Sequence, residues 1–316
     1  MNVLILTEGG KDIGFGHITR CTGLYQGIKK IIPRATIEFI IYGDKEATRF
    51  LEMHEKYAKN INWHEKKKKM FEATANSDVV IIDSYLAKKS VYDKISKITK
   101  GRLLMIDDYK RLDYPRGIVV NPSICGGRFN YSKKTGTTYL HGRDYIILRK
   151  EFWRVPKKDI NEKVKSVLVT LGGMKRAQIA ERIIENLKKK MDLKFLIVEP
   201  YNYRLSAGQM VGLMSRADIC ISGGGQTTYE LARCGVPAVG ICFADNQTLN
   251  LQEGKKAAFL EPVGRYDKKG LFQNVKKVLE GLDFRKRIMM SQAGQNVVDG
   301  QGAIRVIKEL VRQMGS

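Results

Sequence analysis

No Cys-X-X-Cys pair occurs in this sequence, and no histidine stands at metal-ligand spacing from another. The five cysteines (Cys21, Cys125, Cys220, Cys234, Cys242) are scattered and odd in number, which argues for reduced thiols rather than a disulfide framework. His17, His54, His64 and His141 form no metal-binding pattern, so no metal is expected. No apolar run approaches the ~20 residues that a membrane-spanning helix needs. The opening MNVLILTEGG has no basic region and only a short apolar run, which argues against a secretory leader and for a cytoplasmic protein. GxxxxGK[ST] is missing, which excludes a P-loop enzyme, and GFGHIT lacks the third glycine of a dinucleotide fingerprint. Zinc-finger spacing, an RNA-recognition signature and low-complexity tracts are missing too.

Acidic residues are in short supply. Lys and Arg number 56 against 33 Asp and Glu, a formal charge of +23. Such a surface attracts nucleic acid, acidic membranes or anionic small molecules such as nucleotides. The lysines are spread widely, as in EKKKKM (Glu65–Met70), and read equally as solvated helix faces. Neither a nucleic acid nor a membrane is therefore expected as an obligate partner. With 43% hydrophobic residues the composition is that of an ordinary globular protein, and 316 residues suffice for two domains.

Short apolar runs alternate with segments of helical period along the whole chain. Strands are predicted at Val3–Leu6, Ile37–Tyr42, Val79–Asp83, Leu103–Asp107, Ile118–Asn121 and Tyr145–Leu148, with helices between most of them. The pattern restarts at Ser166–Thr170 and continues through Phe195–Val198, Ile219–Ser222, Ala238–Ile241 and Ala257–Leu260. This alternation predicts an α/β protein of two Rossmann-like domains, residues 1–154 and 163–316, joined by a polar linker at Val155–Glu162. The final helix is expected either to stay with the second domain or to pack back on the first. Ligands of such sheets lie beyond the carboxyl ends of the strands, so the two Gly-rich turns would line opposite walls of a cleft.

Three Gly turns follow predicted strands, at Gly14–Gly16, Gly172–Gly173 and Gly223–Gly225. Each can present backbone N–H groups to an anion or be no more than a turn. The first carries His17, a side chain suited to proton transfer near neutral pH. In GGGQTTYE, Gln226, Thr227 and Thr228 can cap a helix or meet a phosphate. Glu230 can grip a ribose diol or be an exposed helix glutamate favoured by the macrodipole. Asn246 and Gln247 suit sugar hydroxyls, and equally the capping of the following helix. Asp83 and Asp107 end buried strands, where they cap loops or form a glycosidase-like carboxylate pair.

The ordered set IGFGHITRC (Ile13–Cys21), IIDSY (Ile81–Tyr85), IDDY (Ile106–Tyr109), ILRKEF (Ile147–Phe152), LGG (Leu171–Gly173), GGGQTTYELARCGVP (Gly223–Pro237) and NQ (Asn246–Gln247) covers nearly the whole chain. It resembles the UDP-2,4-diacetamido-2,4,6-trideoxy-β-L-altropyranose hydrolases of pseudaminic acid biosynthesis and their spore-coat polysaccharide relatives. These are similar in turn to the GT-B fold of the peptidoglycan N-acetylglucosaminyl transferase. The resemblance implies a UDP-sugar substrate, no cofactor and no metal. It implies that His17 is catalytic and activates the water that displaces UDP from the sugar. Asp83 and Tyr85 would support it, and Gly14, Gly16 and Arg20 would contact substrate. Gly173, Gly224, Gly225, Gln226, Thr227 and Thr228 would hold diphosphate and nucleotide, Glu230 the ribose, and Asn246 and Gln247 the sugar. One departure stands out: Phe195–Val198 reaches the next helix through the short loop EPYNYRLSA, where relatives carry more structure. This implies a trimmed base pocket.

The expectation is thus a nucleotide-sugar hydrolase that releases UDP from a diacetamido-trideoxy hexose, for nonulosonic acid or surface polysaccharide synthesis. A GT-B glycosyltransferase with an acceptor hydroxyl in place of water is one alternative. A basic nucleic-acid-binding protein without catalysis is the other. The sequence leaves the sugar, the base and the oligomeric state open.

Overall fold

The computed structural model describes residues 1–53, 58–131, 134–172, 176–189, 191–198 and 205–315, the side chain of residue 53 excepted. His54 and Gly173 lie outside the described residues, as does most of the loop after Val198. The chain divides into two compact units, Met1–Lys150 with Gln301–Ser316, and Glu151–Gly300.

The first unit opens with β1 (Asn2–Gly9), α1 (Gly16–Ile31), β2 (Thr36–Gly43), α2 (Lys45–Met53), β3 (Ala58–Asn60) and α3 (Lys67–Ala75). β4 (Val79–Asp83), α4 (Lys89–Ile98), β5 (Leu103–Ile106), β6 (Gly117–Asn121) and β7 (Thr137–His141) complete its sheet. The sheet is parallel, in the order β3-β2-β1-β4-β5-β6-β7. Leu4, Ile5 and Leu6 of β1 are fully buried. Side chains on both faces of a central parallel strand face packed helices, which is why this strand reads as a continuous apolar run. Each such side chain contributes about 1.5–3 kcal/mol. β1 pairs with β2 on one side and β4 on the other, so the strand order reverses between β1 and β4. A ligand crevice forms beyond the carboxyl ends at such a reversal.

The second unit carries β8 (Ser166–Thr170), α5 (Ala177–Lys188), β9 (Lys194–Ile197), α6 (Ala207–Arg216), β10 (Ile219–Gly223) and α7 (Thr227–Arg233). β11 (Ala238–Cys242), α8 (Asn246–Lys256), β12 (Leu260–Arg265), α9 (Leu271–Glu280) and α10 (Phe284–Val297) follow. This sheet is also parallel, in the order β12-β11-β10-β8-β9, and it reverses between β8 and β10. Its core is built from Val167, Val169, Ile219, Ile221, Val239 and Ile241 against the helices. The closing helix α11 (Gly302–Met314) belongs to the first unit and packs on α1. A Cβ at Gly27 of α1 would stand 3.2 Å from Ile307, so the small residue permits the close approach.

Three local expectations give way. Residues 155–162 do not stand apart as a linker. Buried Arg287 donates to the carbonyls of Asn161 (2.7 Å) and Glu162 (2.6 Å), and Gln295 to that of Pro156 (2.8 Å). A buried guanidinium must spend its donors, and here it spends them on this segment, fixing it to the second unit. Tyr145–Leu148 is not a strand. A 3-10 turn occupies Arg143–Tyr145, Ile146 to Leu148 are buried outside any strand, and the seventh strand is the more polar β7. The last strand starts at Leu260 rather than Ala257, because Ala258 turns in the left-handed region (φ 59°) at the end of α8.

Candidate active site

The loop between β1 and α1 is a closed turn. The N–H of Gly10 donates to the carbonyl of Gly14 (3.1 Å), and that of Gly14 to Gly10 (2.7 Å). Gly14 sits at φ +90°, a conformation that favours glycine, so its role is to make this turn. Its N–H is spent within the turn. Gly16 opens α1, and a Cβ at either Gly14 or Gly16 would meet nothing within 4 Å. The space over this turn is open.

His17 lies in the first turn of α1, buried, with Nδ1 2.5 Å from Oδ1 of Asp83 at the end of β4. Arg20, one turn on, donates from Nε to Oδ2 of Asp83 (2.8 Å) and from Nη2 to Oδ1 (2.9 Å). Its Nη1 donates to both oxygens of Asp108 (2.8 and 3.0 Å). Nη2 also stands 3.1 Å from Nδ1 of His17. The ionised Asp83 carboxylate can only accept, so Nδ1 of His17 carries the hydrogen and donates to it. That tautomer leaves Nε2 with its lone pair, the arrangement of a general base. Burial opposes the charge on Asp83, but Arg20 and then His17 outweigh it and hold the carboxyl well below the usual range. Burial likewise pulls Arg20 down, and Asp108 and Asp83 more than restore it.

Tyr85 packs edge-on against His17, with ring centroids 4.4 Å apart at 88°. Its hydroxyl donates to Oδ2 of Asp108. Burial and then the Asp108 charge push the phenol far above its ordinary range, so it stays protonated. With its proton on Asp108, the Tyr85 oxygen can take part in any further hydrogen bond only as an acceptor. The structure thus brings together His17, Arg20, Asp83 and Tyr85, all named from the sequence.

Asp108 and Glu8 were not. Glu8 ends the apolar run of β1 and is fully buried. It accepts from the Ser84 hydroxyl, the N–H of Tyr85 (2.6 Å) and that of Leu86 (3.2 Å), and Nε2 of His64 stands 3.2 Å away. Burial works against its ionisation, and His64, Ser84, His17 and the Tyr85 N–H together hold it below its ordinary value. Glu8 therefore fixes the loop that carries Tyr85. The same strand-ending acid that singled out Asp83 was its signal in the sequence. Asp107 accepts from the Arg111 N–H (3.0 Å) and the Tyr131 hydroxyl (2.6 Å), and so anchors the loop after β5. Both oxygens of Asp83 and both of Asp107 are engaged, which removes the glycosidase-like pair.

In the second unit the Gly turn sits at the reversal between β8 and β10. The N–H of Gly224 donates to the Ile241 carbonyl (3.0 Å), and a Cβ there would stand 2.7 Å from Leu251. Gly224 is thus a packing glycine, whereas a Cβ at Gly225 would meet only Gln247, at 3.7 Å. Thr228 is buried and donates to the Gly225 carbonyl (2.8 Å), so it closes the turn from within. Gln226 and Thr227 are half-buried at its rim. Glu230 is buried, 5% exposed, and is no surface glutamate. Asn246 is exposed at the start of α8, and Gln247 accepts the N–H of Phe243 (2.9 Å), which ties its oxygen to the loop.

No family model matches the chain. It is 24% identical over 97% of its length to the spore coat polysaccharide biosynthesis protein SpsG of Bacillus subtilis, 96% of which is covered. It is also 24% identical over 98% of its length to a Helicobacter pylori protein named pseudaminic acid cytidylyltransferase and UDP-2,4-diacetamido-2,4,6-trideoxy-β-L-altropyranose hydrolase. The chain spans 56% of that protein. MurG of Acinetobacter baumannii superposes with a TM-score of 0.64 at 12% identity, over 99% of this chain and 100% of that one. The fold is GT-B-like. The UDP-GlcNAc 2-epimerase of Neisseria meningitidis, solved with UDP-GlcNAc bound, shares it at a TM-score of 0.60 and 13% identity, over 99% of this chain and 100% of that one. Homology to the two curated proteins is distant.

Proposed function

We propose that this chain is a nucleotide-sugar hydrolase that releases UDP from a UDP-linked diacetamido-trideoxy hexose. The observation that carries the reading is the His17–Asp83 pair. Asp83 orients the imidazole through Nδ1, so Nε2 takes a proton from water. The water oxygen bonds to the anomeric carbon as the bond from that carbon to the diphosphate oxygen breaks. The electron pair leaves with UDP. The imidazolium formed on His17 is stabilised by the Asp83 carboxylate, the arrangement of a histidine–carboxylate dyad. The Tyr85 oxygen accepts a hydrogen bond from the water or from a sugar hydroxyl.

The second unit is assigned the nucleotide, with the Gly225 end of its turn toward the diphosphate and Glu230 toward the ribose. The name of the Helicobacter relative supports the substrate class, and that of the Bacillus relative supports surface polysaccharide synthesis as the setting. A screen of nucleotide sugars for released nucleoside diphosphate, with no acceptor present, tests the reading. Release without acceptor supports hydrolysis. Release only when an acceptor alcohol is added makes the chain a glycosyltransferase.

A further inference from the structure

Arg176, which no sequence motif singled out, lies just beyond β8 at the start of α5. Its Nη1 donates to the carbonyl of Leu171 (3.0 Å). Its guanidinium carbon stands 4.5 Å from the centre of the Phe243 ring. That ring stacks in turn on Tyr266, with centroids 5.2 Å apart and planes at 19°. Phe243 follows β11 and Tyr266 follows β12, so the three side chains line the carboxyl edge of the second sheet. Nη1 also stands 3.7 Å from where a Cβ on Gly172 would be, and 3.6 Å from one on Gly223. The guanidinium therefore lies close to Gly172 and Gly223, beyond the carboxyl ends of the two strands between which the order reverses.

What distinguishes this arginine is the company it lacks. Arg20 is held by two carboxylates, and Arg287 spends its donors on three backbone carbonyls. Among the described residues Arg176 has one carbonyl partner and no carboxylate. Burial lowers its pKa, and Tyr266 opposes that only in part. A guanidinium carries five N–H donors, and stacking on a ring occupies its face while leaving the in-plane donors for other partners. A half-buried cation with unspent donors, beside backbone turns at a sheet reversal, matches a phosphate group, which arginine binds through paired hydrogen bonds.

We propose that Arg176 binds the diphosphate of the nucleotide sugar, held flat for that purpose by Phe243 and Tyr266. The proposal rests on the hydrolase reading for the identity of the ligand, and on the geometry alone for its charge. Arg176 then neutralises the charge that gathers on the diphosphate oxygen as the bond to the anomeric carbon breaks, so it serves departure of UDP as well as binding.

Calorimetric titration of the full chain with UDP, uridine and inorganic pyrophosphate tests this. Arg176→Gln should weaken UDP and pyrophosphate about tenfold or more, the loss expected for charge-assisted bonds, and leave uridine unchanged. Arg176→Lys keeps the charge without the fork and should fall between the two. It also stands in if the glutamine variant melts early. Phe243→Leu should weaken pyrophosphate less than Arg176→Gln does. Binding of UDP and pyrophosphate by the Arg176 variants within twofold of wild type would overturn the assignment. So would a wild-type chain that binds neither ligand. Pyrophosphate binding that is lost in Arg176→Gln, in a chain that hydrolyses no nucleotide sugar, keeps the anion site and removes the hydrolase reading.

Discussion

Nδ1 of His17 stands 2.5 Å from Oδ1 of Asp83, and the same carboxylate receives two hydrogen bonds from Arg20. His17 and Asp83 are thus locked together by a third residue, on the same helix as His17. His17→Ala should lower turnover by roughly 10²–10⁴-fold, the usual worth of a positioned general base. UDP affinity should stay within about twofold, because the nucleotide is assigned to the other unit. Asp83→Asn should lower kcat with little change in KM, since the imidazole loses its orienting partner. Steady-state kinetics with UDP titration checks both, and His17→Ala turnover near wild type would remove the assignment.

Asp108 bridges Arg20 and Tyr85 and touches neither His17 nor Asp83 through any bond of its own. Removing its charge should free the Tyr85 hydroxyl, which then donates where it had accepted. Asp108→Asn and Tyr85→Phe should each lower kcat by about tenfold, and the double variant by scarcely more than either alone. Such non-additivity is what a double-mutant cycle reports for residues acting through one contact. Fully additive losses would separate the two roles.

Much of this was legible in the sequence, and the reasons differ by residue. β1 and β4 are apolar runs because both of their faces are covered, and Asp83 at the end of β4 stands out against that background, whereas Glu8 near the end of β1 was passed over. His17 stands out because a Gly turn precedes it. Asp108 did not stand out from its neighbour Asp107, since only the folded sheet shows which of two adjacent acids meets Arg20, 88 residues away. β7, TTYLH, is the edge strand of its sheet and carries only two apolar residues, side by side, so no run marked it. Glu230 reads from the sequence either as a ribose ligand or as an exposed helix glutamate, and tertiary packing decides its burial. Arg176 had no motif, because its significance lies in partners contributed by two other strand ends.

The pH dependence of stability follows from Glu8. Its folded pKa is held below the ordinary 4.5, so its ionisation stabilises the fold fully above that value. The contribution is lost as pH falls through the lowered folded value. Asp83 acts in the same sense, with its carboxyl held well below the ordinary 3.8. Thermal unfolding midpoints should therefore fall steeply on acidification below about pH 4.5, where these groups begin to bind protons on unfolding. Glu8→Gln should lower the midpoint at neutral pH and flatten the acid slope. An unchanged slope would place the acid sensitivity elsewhere.

Chelation should leave activity intact. Arg20 pairs with both Asp83 and Asp108, so the carboxylates nearest His17 already share a fixed cation. Turnover after exhaustive treatment with a strong chelator should match the untreated rate. Loss of activity restored by Mg²⁺ or Mn²⁺ would show that a metal, not protein cations and dipoles, neutralises the leaving diphosphate.

The formal charge of +23 and the buried Glu230 make separable predictions for one ligand. Glu230, assigned to the ribose, acts at short range. Glu230→Ala should weaken UDP by about tenfold or more at any ionic strength, the cost of a lost hydrogen bond to a charged group. The lysine excess acts at long range and is screened beyond ~8–10 Å at physiological salt. Added salt should therefore lower kcat/KM through slower capture of the anionic substrate while leaving kcat unchanged. RNA should compete at low salt and lose that ability as salt rises, because its binding rests on counterion release. Calorimetry and kinetics at two salt concentrations, on wild type and Glu230→Ala, separate these effects. A Glu230→Ala variant that binds UDP like wild type would place the ribose elsewhere. A wild-type chain that holds RNA tightly at physiological salt and binds no UDP would replace the enzyme reading with nucleic-acid binding.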